Sequence, residues 1–315
     1  MLSQIQNSHS NALQSYEIQH VREDASNKKN TSQSYMETLI SLSHRGIILL
    51  KGTDALSLLQ GLVTNDMDLL KAEAPALFTA WLSPQGRFWY DFFVIKGGED
   101  SFFLTPEKIH IPEFLKKLQL YKLRKSVTID DQSDQYQLVS SLHEKPDNTQ
   151  EIWVEDPRTP RMGWVGIVSK EITAEGDLNL YNAHRILQGV PDGSQDLEVD
   201  KAIILENNYE NLHGISWNKG CYMGQELMAR THHRGLVRKR LTPVRLKGSP
   251  QPFGTPLFQE GEKVGTIKSS LADLALALLR IESIDRLSKE GTPITTEDGT
   301  VVVLNTEHEW TIKNP

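Results

Sequence analysis

The segment NKGCYMGQE, from Asn218 to Glu226, carries the only cysteine in a chain of 315 residues. Cys221 stands two residues after Lys219 and is flanked by Gly220 and Gly224. A thiol acts as nucleophile or metal ligand in its thiolate form, which a nearby cation or a helix N-terminus favours. If a helix begins near Tyr222, Cys221 sits at its N-terminus, with Lys219 beside it and Arg230 within approach. The two glycines let backbone come close to a flat ligand. The competing reading is a buried cysteine whose role is packing alone. Downstream, RTHHRGLVRKR gathers Arg230, Arg234, Arg238, Lys239 and Arg240, with His232 and His233 between them. Adjacent helical histidines point about 100° apart. With no third ligand in view, no dedicated metal site is expected.

The elements that must position these residues can be sketched from pattern. Residues 1–36 are polar and lack a sustained period, so they read as a disordered tail. TDALSLLQGLV offers Thr53 or Asp54 as a helix N-cap, followed by an apolar face. ALFTAWLS, GRFWYDFFVI and SFFLT read as strands with a hairpin, and Pro112 opens a helix through PEFLKKLQLYKL. SVTIDD, QYQLVSSL and EIWVED are further short strands. GDLNLYNAHRILQGVP is the clearest helix, with Gly189 past its end. LADLALALLRI is ambiguous: its propensities favour helix, its neighbours a buried strand. The rhythm is that of an α+β protein rather than a doubly wound sheet. No Gly-x-Gly-x-x-Gly or P-loop supports nucleotide binding. Prolines and glycines after Leu241 mark a boundary, giving a main region over 37–241 and a small β domain over 242–315.

Composition limits the class. Hydrophobic residues make up 38% and charged residues 24%, ordinary for a globular chain. A single cysteine excludes an internal disulfide framework or an all-cysteine metal site within one chain. A net charge of −7 argues against direct nucleic-acid binding. No apolar run is long enough for a bilayer. No secretory or transit pattern is visible, so a cytoplasmic protein is expected.

KGCYMGQELMARTHH resembles the signature of the YgfZ-type folate-binding family, a branch of the aminomethyltransferase (glycine cleavage T-protein) superfamily. GTDALSLLQGLVTNDM, TAWLSPQGRFWYDFFV, YNAHRILQGVPD, ILENNYENLHGISWNKG and FGTPLF with VGTIKSS and ALALLR follow in that family's order. The resemblance covers roughly residues 38–282. It implies an α+β aminomethyltransferase-like folate-binding fold with a C-terminal small β-barrel. It also implies a protein that supports iron–sulfur cluster assembly or repair, mainly for [4Fe–4S] enzymes, including radical enzymes that thiolate tRNA. The implied ligand is tetrahydrofolate or a derivative; the implied partners are iron–sulfur carrier or client proteins. A transient cluster could be shared with such a partner through Cys221.

The resemblance also assigns roles. Glu206 matches the glutamate that reads the pterin ring, and Tyr181 an aromatic that stacks on it, though a core-facing Tyr181 is an equal reading. Gly220, Gly224, Gln225 and Glu226 belong to the signature and are expected around the ligand. Arg230 and its basic neighbours are read as holding a folate glutamate tail, as a solvated face, or as an RNA contact. Cys221, Lys219 and Asp91 form the expected reactive set. The T-protein's paired acids correspond here to Tyr90 and Asp91, leaving one carboxylate. A second aromatic of the pattern is replaced by Arg45. A folate-dependent one-carbon transferase is therefore the alternative rather than the leading reading.

Overall fold

The computed structural model describes residues 39–72, 74–146 and 151–305; the predicted polar tail lies outside them. In chain order β1 (Ile40–Ser41) and β2 (Ile48–Lys51) precede α1 (Ala55–Gln60) and the single turn α2 (Leu69–Ala72). A meander of β3 (Ala76–Leu82), β4 (Phe88–Gly98) and β5 (Ser101–Leu104) leads into α3 (Ile111–Lys122). Then come β6 (Thr128–Asp131), β7 (Tyr136–Ser141), β8 (Ile152–Glu155), β9 (Trp164–Ser169) and α4 (Leu178–Leu187). After α5 (Gln225–His233) the chain forms β10 (Lys239–Lys247), β11 (Pro256–Gln259), β12 (Glu262–Leu271) and β13 (Leu274–Arg280). It closes with α6 (Ile281–Glu290), β14 (Ile294–Thr295) and β15 (Val301–Leu304).

Three sheets result. One has five strands in the order β3-β4-β5-β2-β6, one has four in the order β1-β7-β9-β8, and the last six strands close a barrel. Both faces of the five-stranded sheet are covered, which is why β3 is buried at every position. Leu77 and Trp81 face the core under α1 and α3, while Ala76, Phe78, Ala80 and Leu82 face the four-stranded sheet. Strand alternation then sets the direction of Asp91. Tyr90 and Phe92 belong to the helix side, so Asp91 points with Phe93 into the core between the sheets.

Local signals account for α4. Asp177 caps it by accepting from the Asn179 amide at 2.8 Å, and Gly189 follows its end at φ 64°. The ambiguous LADLALALLRI is a strand. Ala275, Ala277 and Leu279 of β13 fill the barrel, while Leu274 and Leu276 pack on Ala183 and Ile186 of α4. Tertiary burial on both faces overrides the helical propensity of Ala and Leu.

The helix after Cys221 begins later than the sequence suggests: at Gln225, behind a Gly224 held at φ 79°. Gly224 presses on the β3–β4 turn, where a Cβ would stand 2.5 Å from the Ser83 carbonyl oxygen. Gly86, also at φ 79°, meets it from the other side, its Cβ position only 2.7 Å from the Gly224 carbonyl oxygen. That close approach forces the backbone to turn before it can coil, so the helix cannot extend back to Tyr222.

Helix and barrel are joined through a buried ion pair. Arg185 of α4 reaches Asp196 Oδ2 at 2.8 Å and donates to Ser269 Oγ of β12 at 2.7 Å. Arg185→Met leaves Asp196 buried without its counter-ion, a change that typically costs about 3–5 kcal/mol. The urea midpoint of the variant should fall accordingly, and an unchanged midpoint would show that the pair does not hold the barrel in place.

Candidate functional site

The loop carrying Cys221 is strapped to the turn that follows α1. The Ser216 amide donates to the Thr64 carbonyl at 3.0 Å and the Met223 amide to Gly61 at 3.1 Å. Between them Lys219 Nζ donates to three carbonyls: Gln60 at 2.9 Å, Val63 at 2.6 Å and Asn65 at 2.7 Å. An ammonium has three N–H donors, and all three are used here on backbone. Lys219 thus holds the loop, with its charge spent on carbonyls at the negative end of α1 rather than aimed at the thiol. Cys221 itself is exposed, between the two anchors.

The expected placement of the thiol is corrected in one respect. Cys221 precedes the first helical residue by a full turn's length of chain, and a helix dipole acts only within its first turn. The reading as a buried packing cysteine also fails, since the side chain faces solvent.

Other signature residues divide between structural and open positions. Gln225 Oε1 accepts from the Tyr222 amide at 3.1 Å, closing the loop onto the helix. Glu226 and Arg230 are exposed, and Gly220 has open space where a Cβ would stand. His232 stacks on Trp217 with ring centroids 4.0 Å apart, and its Nδ1 lies 3.5 Å from Glu210 Oε1. Gly224 approaches a protein turn rather than open space.

A second cluster lies in the core between the sheets. Arg45 Nη1 donates to both the carbonyl and Oδ1 of Asp91, at 3.0 and 2.7 Å, and its Nη2 reaches Asp192 Oδ1 at 2.5 Å. Tyr209 donates to the other oxygen of Asp91 at 2.6 Å, and His44 Nε2 lies 2.8 Å from Asp192 Oδ2. Burial opposes the charge on Arg45, but Asp91 and Asp192 hold its pKa well above the usual value. Burial likewise pushes Asp192 upward, and Arg45 and His44 overcome it, keeping the carboxyl well below its ordinary range. Nearby, Glu107 accepts from Ser194, yet burial raises its pKa.

Tyr181 borders the same interior. Its hydroxyl accepts from Arg158 at 3.0 Å, and Arg158 in turn pairs with Asp156 and lies 4.8 Å from the centre of the Phe93 ring. Leu42, Phe78, Phe92, Phe93, Leu138 and Tyr181 surround the two guanidinium groups, and the gap between them leaves no position for a sphere the size of water. Glu206 is not part of that lining. Half-buried, its carboxyl is pushed up by burial and drawn back by Lys239 and Arg87, and no hydrogen bond or ion pair links it to Asp91 or Tyr181. Arg45, which Asp91 holds, lines that gap together with Tyr181, whereas Glu206, Arg230 and Cys221 are not among its lining residues. As it stands, the gap beside Tyr181 is too small for a pterin.

Sequence reading missed Asp192, Tyr209, Arg158 and Asp156. Only the repeated acids in VPDGSQD and the Asp-Pro-Arg of EDPRTP hinted at them, and neither pattern announces burial.

The fold defines an aminomethyltransferase-like protein with an appended barrel. Residues 14–140 match the family described as the GCVT N-terminal domain, and residues 238–311 match the CAF17, C-terminal beta-barrel domain. A glycine cleavage system aminomethyltransferase T from Bartonella henselae shares the fold at a TM-score of 0.68 and 14% identity, covering 87% of this chain and 88% of that one. Closer in sequence is the mitochondrial iron–sulfur cluster assembly factor IBA57 of Homo sapiens, 37% identical and covering 77% of each chain. The corresponding protein of Mus musculus is 33% identical over 81% of each chain. A homolog from Mycosarcoma maydis is 31% identical over 79% of this chain and 75% of its own. The chain belongs to the IBA57 iron–sulfur cluster assembly factor family. The names of these relatives place them in the mitochondrion, which overturns the cytoplasmic expectation. Bulk composition could not decide this, because a cellular address is read by receptors rather than set by charge or hydropathy.

The strap has a pH signature. Burial pulls the Lys219 ammonium down to about 8 from 10.5. Between those values the unfolded chain binds the proton that the folded chain has released, so stability contributed at this position rises with pH. Measured against Lys219→Met by denaturant unfolding, the wild type should gain as pH rises from about 8 towards 10.5. A difference that stays flat across that window would place Lys219 in a more solvated setting.

Proposed function

We propose that this chain is an iron–sulfur cluster assembly factor that offers Cys221 to a partner holding the cluster. The family supports the reading, and one observation carries it: the sole cysteine is exposed on a loop pinned on both sides by hydrogen bonds to the α1 turn. The cluster is cargo. Iron–sulfur clusters are held by several thiolates, so Cys221 supplies one ligand and the partner, a carrier or client protein, supplies the others. Lys219 acts as a positioning residue, since its ammonium fixes the loop while touching no cargo. Arg230 and Arg234, exposed and free of ion pairs among the described residues, give the partner a cationic rim.

The clients implied by the YgfZ-type signature are [4Fe–4S] enzymes, among them radical enzymes that thiolate tRNA. Tetrahydrofolate, also implied by that signature, has no step in this proposal because the gap lined by Arg45, Arg158 and Tyr181 is too small to hold it as it stands. A one-carbon transferase, which the match to the GCVT N-terminal domain would suggest, is the second reading. Asp91, the carboxylate such chemistry would use, is already held by Arg45 and Tyr209.

Cys221→Ser should leave folding intact, because surface substitutions without buried partners usually change stability by less than about 0.5 kcal/mol. In cells lacking the wild-type gene, the same variant should fail to restore the activity of [4Fe–4S] enzymes. Full restoration by Cys221→Ser would remove the thiol from the mechanism.

A further inference from the structure

Six large apolar side chains stand exposed among the described residues, and three of them, Ile109, Leu120 and Leu123, belong to α3 and the residues that flank it. They are 79%, 68% and 82% exposed. A single 3-10 turn, Lys108–His110, runs directly into α3. Ile109, Pro112, Lys116, Leu120 and Leu123 follow one another at intervals of three or four residues, and all five are exposed. That spacing lines them up along one side of a helix. The opposite side carries Ile111, Phe114 and Leu118, all buried. The Phe114 ring lies 5.2 Å from that of Phe92 and 5.3 Å from those of Trp81 and Tyr90. The helix thus has one apolar face anchored in the core and a second turned outward. At its end the exposed Leu123 is held at φ 50° and ψ −117°, backbone that glycine takes freely and leucine does not.

Charge says what covers the outer face. Residues 108–125 hold six cations, Lys108, Lys116, Lys117, Lys122, Arg124 and Lys125, and one carboxylate, Glu113, in a chain whose net charge is −7. Glu113 is taken by Lys117, while Lys116, Lys122 and Arg124 have no ion-pair partner among the described residues. We propose that this face of α3 docks on an anionic lipid surface, with Ile109, Leu120 and Leu123 entering the interface and the lysines meeting the headgroups. The residue types favour lipid over a protein partner. Protein interfaces are enriched in aromatic residues and arginine and depleted in lysine, and leucine is under-represented among their anchors. Here the apolar residues are all aliphatic and five of the six cations are lysines. Leucine beside lysine is the make-up of helices that lie in a membrane interface, where lysine stems follow the hydrocarbon and their ammonium groups stay among the headgroups. The stripe is also a ridge of projecting side chains, which a fluid surface accepts without a matching groove. Helix α3 lies along such a surface; no described helix is long and apolar enough to cross it. None of the hydrogen bonds that tie down the Cys221 loop comes from α3, and the inference does not depend on the role given to Cys221.

The test is co-sedimentation of the full-length chain with vesicles of phosphatidylcholine alone, or of phosphatidylcholine with about one third phosphatidylglycerol. Two double variants accompany the wild type. Leu120→Ser with Leu123→Gly removes the apolar tips, and glycine suits the backbone at 123. Lys116→Glu with Arg124→Glu reverses two free charges. All four positions are exposed, so both variants should fold, which near-ultraviolet circular dichroism checks. The wild type should sediment with the anionic vesicles and stay in solution with the neutral ones. Raising the salt from about 0.1 M to about 1 M should weaken that binding, because the Debye length falls from about 10 Å to about 3 Å. Each double variant should bind the anionic vesicles at least about tenfold more weakly than the wild type. A wild type that ignores anionic vesicles would overturn the proposal, and so would a Leu120→Ser, Leu123→Gly variant that binds them as tightly as the wild type. A wild-type dimer in size-exclusion chromatography that both variants break, with no vesicle binding, would give the face to a second copy of this chain instead.

Discussion

The loop that carries Asp192 and Asp196 joins the parts of this molecule to one another. Asp192 takes the guanidinium of Arg45, which also grips Asp91 on β4 of the five-stranded sheet. Four residues on, Asp196 accepts from the Asp192 amide, pairs with Arg185 of the helix and accepts from the Ser269 amide of the barrel. A continuous run of charge-assisted bonds therefore passes from sheet to loop to helix to barrel. Buried charges are costly unless paired and hydrogen-bonded, so every member of the run constrains the position of the next. Such a chain tolerates little sliding between the units it joins.

That constraint separates the two places where chemistry was expected. The interior is committed to holding the fold: Asp91 and Asp192 face a guanidinium, the Tyr181 and Tyr209 hydroxyls are paired, and the gap beside Tyr181 admits no sphere the size of water. The reactive group lies outside it, on a loop whose backbone and lysine are tied to the turn after α1. Under the proposed function, the aminomethyltransferase-like frame is used from its surface. The exposed thiol needs accessible space and a fixed position, and the strap supplies both without enclosing it.

Much of the architecture was legible in the chain. The alternation through 76–104, the capped helix ending at Gly189 and the closing run of β strands are local patterns, and each acts over a few residues. The signature around Cys221 carried the superfamily, although it pointed to the YgfZ-type branch where the sequence relatives are IBA57 proteins. Arg45 was visible as a departure from an aromatic position, but its consequence was not. Its partners lie 46 and 147 residues away, and no local period or propensity connects positions so far apart.

By itself, then, the sequence determined which segments would coil or extend, where the single thiol would stand in the chain, and to which superfamily the order of motifs belongs. Tertiary structure alone decided that Cys221 faces solvent, that the helix behind it starts only at Gln225, and that Lys219 spends its charge on carbonyls. It also decided that Asp91 is held by Arg45 and Tyr209 and Tyr181 by Arg158 in the core between the sheets. The reason is that exposure, ion pairing and free volume depend on what packs against a residue, and those neighbours come from distant parts of the chain.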